Sequence, residues 1–399
     1  MSAPLLIVIS AMLIQQAFAY FAALVLPNMA PAVAADLNID PHLIGFYTGV
    51  LYFFSSMGQL SCGGFILRFG AVRMSQASLV FMGLALMLGY FGALPVFVAA
   101  AALTGLASSV STPASSHLLA RYSPPKYAPL IFSVKQTGVP VGGLMAGIAV
   151  PLLLGWIGWR GAFVACGVAM IAFAILLQPI RERFDTDRNP AQSLKPGFIW
   201  QNIRQVLGTP SLRDLALGMF CFVGLQGLFG SYFVTYISEN MGRSLEGANH
   251  IFSVAMTTAI VARILWGWVG SALMPARRVI AYLAAVMVVA AVGMGLVRRE
   301  WSDLAIAAVA ILYCISALSW HGLMMAEIAR LAPAGRVGPV TGAALACAGA
   351  GMMSYPMLYA LLLEATGDPT LGFFIAALPA AIMAVKLYLP PKHVEGAAV

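Results

Sequence analysis

Long apolar segments follow one another along the chain, and no other feature limits the possible folds as strongly. About twelve can be drawn, at 5–34, 42–66, 73–93, 96–119, 127–151, 157–180, 210–237, 248–270, 277–297, 303–329, 338–363 and 369–389. A bilayer core is about 30 Å thick and takes about 20 apolar residues in helical form. Lipid offers the backbone no hydrogen-bond partner, so such a chain crosses it as helices. The sequence therefore predicts an all-α polytopic membrane protein with twelve transmembrane helices.

The low charge content excludes a soluble protein. Charged residues make up 9% of the chain and hydrophobic residues 61%, whereas a soluble domain carries about 25% charged residues. The formal net charge of +8 does not indicate a nucleic-acid partner, because the basic residues are scattered through short connections and form no basic stripe. The lipid bilayer is the first partner that we expect.

Several classes of site have no signature in the sequence. The five cysteines lie in apolar stretches, are widely spaced and are odd in number, which favours neither a disulfide framework nor a metal site. No Walker A motif, zinc-ligand spacing, nucleophile elbow or dinucleotide fingerprint is present. We therefore expect no cofactor, no metal and no enzymatic activity. The first apolar run lacks a basic region before it and a cleavage site after it, so we interpret it as a retained span.

One polar segment divides the chain. Residues 181–209 carry most of the clustered charge, and they predict a linker between a six-span half at 1–180 and a second at 210–399. The pattern A-R-x-x-P followed by a basic residue occurs at Ala120–Lys126 and again, 209 positions later, at Ala329–Arg336. Equal spacing and equal place in the span order indicate a duplicated six-span unit. Two parallel halves with a site at their interface are a transporter architecture.

Basic residues also predict the orientation. With the amino terminus in the cytoplasm, 16 of the 22 Lys and Arg residues fall in inner loops or the tail and four in outer loops, at Arg160, Arg243, Arg298 and Arg299. This asymmetry follows the positive-inside rule. We expect a multi-pass protein of a bacterial cytoplasmic (inner) membrane with both termini cytoplasmic.

The loop after the second span carries a family motif. Residues 63–73 read GGFILRFGAVR, which resembles the G-x-x-x-D-R-x-G-x-x-R loop of the major facilitator superfamily. The resemblance covers essentially the whole chain and implies that family's fold, with Gly63, Arg68, Gly70 and Arg73 in a cytoplasmic gating loop. The acidic position of the motif is Leu67 here, so the resemblance implies no charge relay built on that carboxylate.

The fifth span contains a second, weaker match. Residues 135–143 read KQTGVPVGG, which resembles the Gly/Pro element of drug-exporting members, although the G-x-P order departs from their adjacent Gly-Pro. Glycines let helices approach closely in lipid, and a proline bends a span. We expect Gly138, Pro140, Gly142 and Gly143 to serve helix packing, either alone or in support of two halves that rock against each other.

Charged side chains inside spans are costly and mark candidate sites. Only Lys135, Arg263 and Glu327 fall there. Lys135 and Arg263 lie at similar depth, and in the resembled fold spans five and eight meet across the interface of the halves. We hypothesise that both bind the anionic group of a substrate. The alternative is that Arg263 forms a structural pair with Glu327.

Other polar residues complete the candidate site. The unperturbed pKa of a histidine side chain lies near physiological pH, so Glu327 and His321 are the candidate proton carriers, unless they serve a gate or packing. Uncharged polar residues near the middle of the membrane need partners that substrate or water could supply; those assigned to substrate binding are Gln15, Tyr20, Gln136, Gln226 and Tyr355.

These observations predict a secondary active transporter that works by alternating access. We expect it to be monomeric and to couple protons to movement of a small organic anion, such as a carboxylate. An antiporter for drugs or amphiphiles is one alternative, but exporters of cations favour a buried acid in the first half, and none is found there. A non-transporting membrane receptor or assembly factor is the alternative from another class.

Overall fold

A computed structural model describes residues 3–38, 43–194 and 197–389. Its α-helices are α1 Ala3–Leu37, α2 Leu43–Phe69, α3 Ala71–Leu88, α4 Leu94–Ser108, α5 Ser111–Tyr122, α6 Ala128–Gln136, α7 Gly138–Leu176, α8 Gln178–Phe184, α9 Gly197–Gly208, α10 Pro210–Thr235, α11 Leu245–Ala272, α12 Ala276–Leu296, α13 Asp303–Ala317, α14 His321–Leu331, α15 Val337–Thr366 and α16 Leu371–Tyr388. No strand occurs within these ranges. Lys195 and Lys392, which entered the charge count, lie outside the described residues.

The described helices cross a membrane twelve times. Eleven stretches are long and apolar enough to span one, and one of them, Pro125–Leu176, has 52 residues, enough for two spans. Gly158 interrupts α7 with a positive φ of 68°. The next two residues, Trp159 and Arg160, hydrogen-bond to Asp36 at the far end of α1, whereas Phe173 contacts Phe18 near its middle. The chain therefore reverses at Gly158, and the predicted twelve-span fold is confirmed.

Three spans are interrupted within their length. Span four breaks between α4 and α5, span five between α6 and α7, and span ten between α13 and α14. Interrupted helices leave backbone carbonyls free to bind side chains or ligands, which is why transporters place sites beside them. The candidate site residues on spans five and ten lie close to these breaks.

The chain forms two compact units. Unit 1 comprises the chain up to Ser123, Val134–Ile203 and Ala332–Ala346; unit 2 comprises Pro124–Ser133, Arg204–Leu331 and the chain from Cys347. The predicted boundaries at 1–180, 181–209 and 210–399 stay a prediction. Loops after even-numbered spans lie on one side of the membrane, which we call the linker side because it carries the segment between spans six and seven.

Candidate functional site

Unit 1 contains a buried polar cluster around Lys135. The Lys135 ammonium donates to Gln16 Oε1 at 2.7 Å and lies 3.4 Å from Gln136 Oε1. The Thr112 hydroxyl donates to the same Gln16 oxygen at 3.0 Å. Lys135, Gln16 and Gln136 are all more than nine-tenths buried. Spans one, four and five thus supply one connected set of hydrogen-bonding groups.

The local sequence of span five explains how Lys135 reaches span one. A methyl group at Gly138 would lie 2.6 Å from the Leu13 carbonyl oxygen, and one at Gly142 would collide with the Ala17 carbonyl. Only glycine permits this backbone approach. Pro140 has no N–H to donate to the carbonyl of Gln136, so the helix breaks beside Lys135.

The charge of Lys135 has no acidic partner among the described residues. Its hydrogen-bond partners are neutral amide oxygens, and it takes part in none of the ion pairs found among the described residues. Burying an ammonium without a countercharge is expensive. The cluster is therefore suited to receive an anion.

Unit 2 contains a second cationic cluster, around Arg263. The Arg263 guanidinium, 5% exposed, donates from Nε to the Leu318 carbonyl at 2.9 Å. Leu318 follows the end of α13, so the break in span ten supplies this acceptor. His321 begins α14, three residues after Leu318. The imidazole stacks on the Trp320 indole, with ring centroids 3.9 Å apart.

Glu327 lies in α14, six residues after His321. Its two carboxylate oxygens accept from Arg330 Nε at 2.9 Å and from Arg330 Nη2 at 2.7 Å. The predicted structural partner of Arg263 is thus engaged with a neighbour on its own helix. Glu327 is buried, whereas the Arg330 side chain is 62% exposed.

The remaining predicted residues divide between the two units. Gln15 donates to Ser111 Oγ at 2.7 Å instead of contacting Lys135, and Tyr20 lies beside Gly143. Gln226 and Tyr355 belong to unit 2. Gln226 Oε1 is buried without a hydrogen-bond partner among the described residues, and the Tyr355 ring packs against Phe220, with ring centroids 5.8 Å apart.

The sequence does not assign three groups of these clusters to substrate binding: Gln16, Thr112 and the Leu318 carbonyl. Gln16 and Gln15 are adjacent amides, and only the rotation of α1 decides which one meets Lys135. The Leu318 carbonyl belongs to an apolar residue, so no side-chain pattern could mark it.

The loop that resembles the family motif is held by the segment after span six. The carboxylate of Asp185 accepts from the backbone N–H groups of Val72 and Arg73, at 2.8 and 2.9 Å, and so caps the amino terminus of α3. Gly70, with a φ of 97°, leaves room for that carboxylate. Burial raises the pKa of Asp185, and the two N–H donors oppose this shift. Asp185 thus places a carboxylate at this loop, in which the acidic motif position is Leu67.

Three further contacts complete this arrangement, which we call the linker clasp. Asp187 Oδ2 lies 2.6 Å from His117 Nε2, and Asp187 Oδ1 lies 2.6 Å from Arg121 Nη1. The Asn189 N–H donates to the Leu67 carbonyl at 2.7 Å. The clasp ties the linker-side ends of spans two, three and four together. Gly63 packs elsewhere, against Pro339 of the same unit, and the Arg68 guanidinium lies over the Phe69 ring.

Comparison with known proteins settles the family. The sequence matches the family model of the Major Facilitator Superfamily over residues 12–344. The chain belongs to the major facilitator superfamily. It is a multi-pass membrane protein of a family of transporters.

Relatives of this transporter share about a quarter or less of its sequence. The protein named "Probable galactarate/D-glucarate transporter GudP" of Escherichia coli (strain K12) is 22% identical over 61% of this chain and 60% of its own length. "Monocarboxylate transporter 11" of Homo sapiens is 26% identical over 62% of this chain and 53% of its own length. The match thus spans less than two thirds of these relatives. A "Probable hexose phosphate transport protein" of Chlamydia trachomatis is 21% identical over 94% of this chain and 88% of its own.

Solved structures show the same fold. The proton:xylose symporter XylE superposes with a TM-score of 0.74 at 14% identity, covering 97% of this transporter and 96% of XylE. The human organic anion transporter MFSD10 (TETRAN) superposes with a TM-score of 0.77 at 14% identity, covering 97% of this transporter and 100% of MFSD10. These likenesses concern the architecture alone.

Proposed function

We propose that this transporter moves a small organic anion and that Lys135 binds the anionic group. The observation that carries the proposal is a 2% exposed ammonium whose hydrogen-bond partners are neutral amides. An incoming carboxylate or phosphate supplies the missing countercharge and accepts charge-assisted hydrogen bonds, which are stronger than neutral ones. Gln16, Gln136 and Thr112 then offer polar contacts to the rest of a hydroxylated substrate.

Arg263 is the second anion-binding candidate, since guanidinium groups bind carboxylates in a bidentate manner. The names of relatives support an anionic substrate, because they refer to galactarate and D-glucarate, hexose phosphate, and nitrate or nitrite, which are all anions. Their low identity leaves the choice among these anions to experiment.

We further propose that protons drive transport through His321, with Glu327 as the second candidate carrier. His321 Nδ1 is buried and has no hydrogen-bond partner among the described residues, so a proton there would change the local charge beside Arg263. Substrate charge at Arg263 would favour the protonated imidazole, which links anion binding to proton uptake.

A thermal-shift screen of the purified transporter tests the substrate class. The ligands are galactarate, D-glucarate, lactate, glucose 6-phosphate and nitrate, with tetraphenylphosphonium as a lipophilic cation. A ligand at one hundred times its Kd stabilises the folded state by about 2.7 kcal/mol. We expect one or more anions to stabilise the transporter. This effect should be lost in Lys135→Ala but kept in Lys126→Ala, whose exposed lysine lies in the short 3-10 turn before α6.

The opposite pattern would overturn the proposal. Stabilisation by tetraphenylphosphonium alone, unchanged in Lys135→Ala, would favour the amphiphile antiporter. Proton coupling is tested by uptake of the stabilising anion into liposomes with and without a pH gradient. Uptake that does not depend on the pH gradient in the unsubstituted protein would exclude proton coupling. An undiminished response to the gradient in His321→Ala would exclude His321 as the proton carrier.

A further inference from the structure

The short helix α9 follows the linker clasp and is attached at two points to residues that lie beside membrane spans. Only Thr209 separates its end from the start of span seven at Pro210. Thr209 is extended, with φ −93° and ψ 110°, so the chain changes direction there and α9 does not continue span seven. In the middle of α9, Asn202 Oδ1 accepts a hydrogen bond from Arg336 Nη2 at 2.7 Å. Arg336 directly precedes span eleven. Both attachments lie where spans enter the membrane on the linker side.

The two faces of α9 differ in character. Asn202 and Val206, one turn apart, are each 1% exposed and form the face that packs on the protein. Trp200, Arg204 and Leu207 lie at i, i+4 and i+7 on another face and are exposed, with Trp200 at 66% and Leu207 at 44%. Residues at this spacing share one side of a helix. Exposing a tryptophan and a leucine together to water is unfavourable, so this face is suited to contact with lipid.

We propose that this face of α9 lies in the headgroup region of the bilayer and that Arg204 binds an anionic phospholipid. Tryptophan is enriched at membrane interfaces because its ring is apolar and its N–H is polar. A helix with apolar and basic residues on its lipid-facing side is suited to lie in the plane of the interface. Arg213, exposed in the first turn of span seven, adds a second positive charge near the same surface. The inference does not depend on the transported substrate.

Depth-dependent fluorescence quenching tests the position of the helix. The transporter and its Trp200→Phe variant are reconstituted in liposomes whose phosphatidylcholine carries bromine either near the headgroup or deep in the acyl chain. The difference between the two proteins reports Trp200 alone. We expect the headgroup-proximal bromine to quench this difference signal more strongly than the deep bromine. A signal that neither bromolipid quenches, but that aqueous iodide does, would overturn the proposal.

Native mass spectrometry tests the anionic lipid. We expect Arg204→Ala to lower the retention of phosphatidylglycerol about fivefold, the factor that one basic residue contributes beside an anionic surface. Arg204→Lys, which keeps the charge, should retain most of the binding. The matched control is Arg298→Ala, an exposed arginine on the opposite side of the membrane. An equal loss in Arg298→Ala, or no loss in Arg204→Ala, would overturn the lipid contact.

Discussion

Gly142 shows at the scale of a single residue what holds spans one and five together. A methyl group there would collide with the Ala17 carbonyl, whereas one at Gly147, in the same helix, would meet nothing within 4 Å. We therefore predict that Gly142→Ala lowers stability by about 2 kcal/mol through overpacking, while Gly147→Ala has little effect. Thermal unfolding in detergent measures both. Equal melting temperatures for the two variants would contradict the close packing.

Gln16 and Gln15 give a second test at the residue scale. The sequence offered both amides, and the binding role was assigned to Gln15; the structure bonds Gln16 to Lys135 and Gln15 to Ser111. We predict that Gln16→Ala weakens binding of the stabilising anion about tenfold, which corresponds to about 1.4 kcal/mol, because Lys135 loses the acceptor that positions it. Gln15→Ala should weaken binding less than Gln16→Ala does. Isothermal titration measures the two Kd values, and the reverse order would refute the assignment.

At the scale of elements, the linker clasp depends on Asp187. Burial alone would raise the pKa of Asp187, but the hydrogen bond from His117 and the charges of His117 and Arg121 outweigh it and hold this pKa below its usual value of 3.8. A lowered folded-state pKa adds stability above the unfolded-state pKa, and this stability is lost as the pH falls through the folded value.

We predict that Asp187→Asn lowers stability by about 2 kcal/mol at pH 7, the usual worth of charged hydrogen bonds. The deficit should shrink as the pH falls below 3.8, because the unsubstituted protein then loses the same carboxylate charge. Thermal unfolding curves recorded at pH 7 and at successively lower pH measure this stability deficit. The control is Asp303→Asn, whose carboxylate pairs with Arg243 but is 66% exposed. A deficit that does not change with pH would mean that shape rather than charge matters at position 187.

Elements also differ in how far the sequence could predict them. The spans follow from apolar runs of bilayer length, and the helix break at Thr137 follows from the missing N–H of Pro140. The break after Ser108 follows from Pro113, which has no N–H to donate to the Ser109 carbonyl. The break at Leu318–Trp320 contains neither glycine nor proline, so no local signal marks it. The clasp joins residues 70 and 113 positions apart, and a single sequence does not reveal such pairs. The candidate site was therefore predicted in its charges but not in its partners.

At the scale of the whole molecule, the reversal at Gly158 decides which loops share a side of the membrane. If Pro125–Leu176 were one long span, Lys126 and the linker would lie on opposite sides. Trp159 and Arg160 contact the end of α1, whereas Phe173 contacts its middle. We therefore expect Lys126 and the linker to lie on the same side of the membrane. Positive residues then predict that this side is the cytoplasm.

We predict that cysteines introduced as Lys126→Cys and Arg188→Cys resist a membrane-impermeant maleimide added to intact cells, and that Glu300→Cys reacts with it. All three positions are exposed. Four of the five native cysteines are buried, which keeps the background low, and the unsubstituted protein reports what remains. Lysed cells provide the control, because all three variants should then react. Labelling of Arg188→Cys but not Lys126→Cys in intact cells would mean that the chain does not reverse at Gly158. Labelling of both, with Glu300→Cys protected, would keep the fold but invert its orientation, so that the positive-inside rule would fail for this transporter.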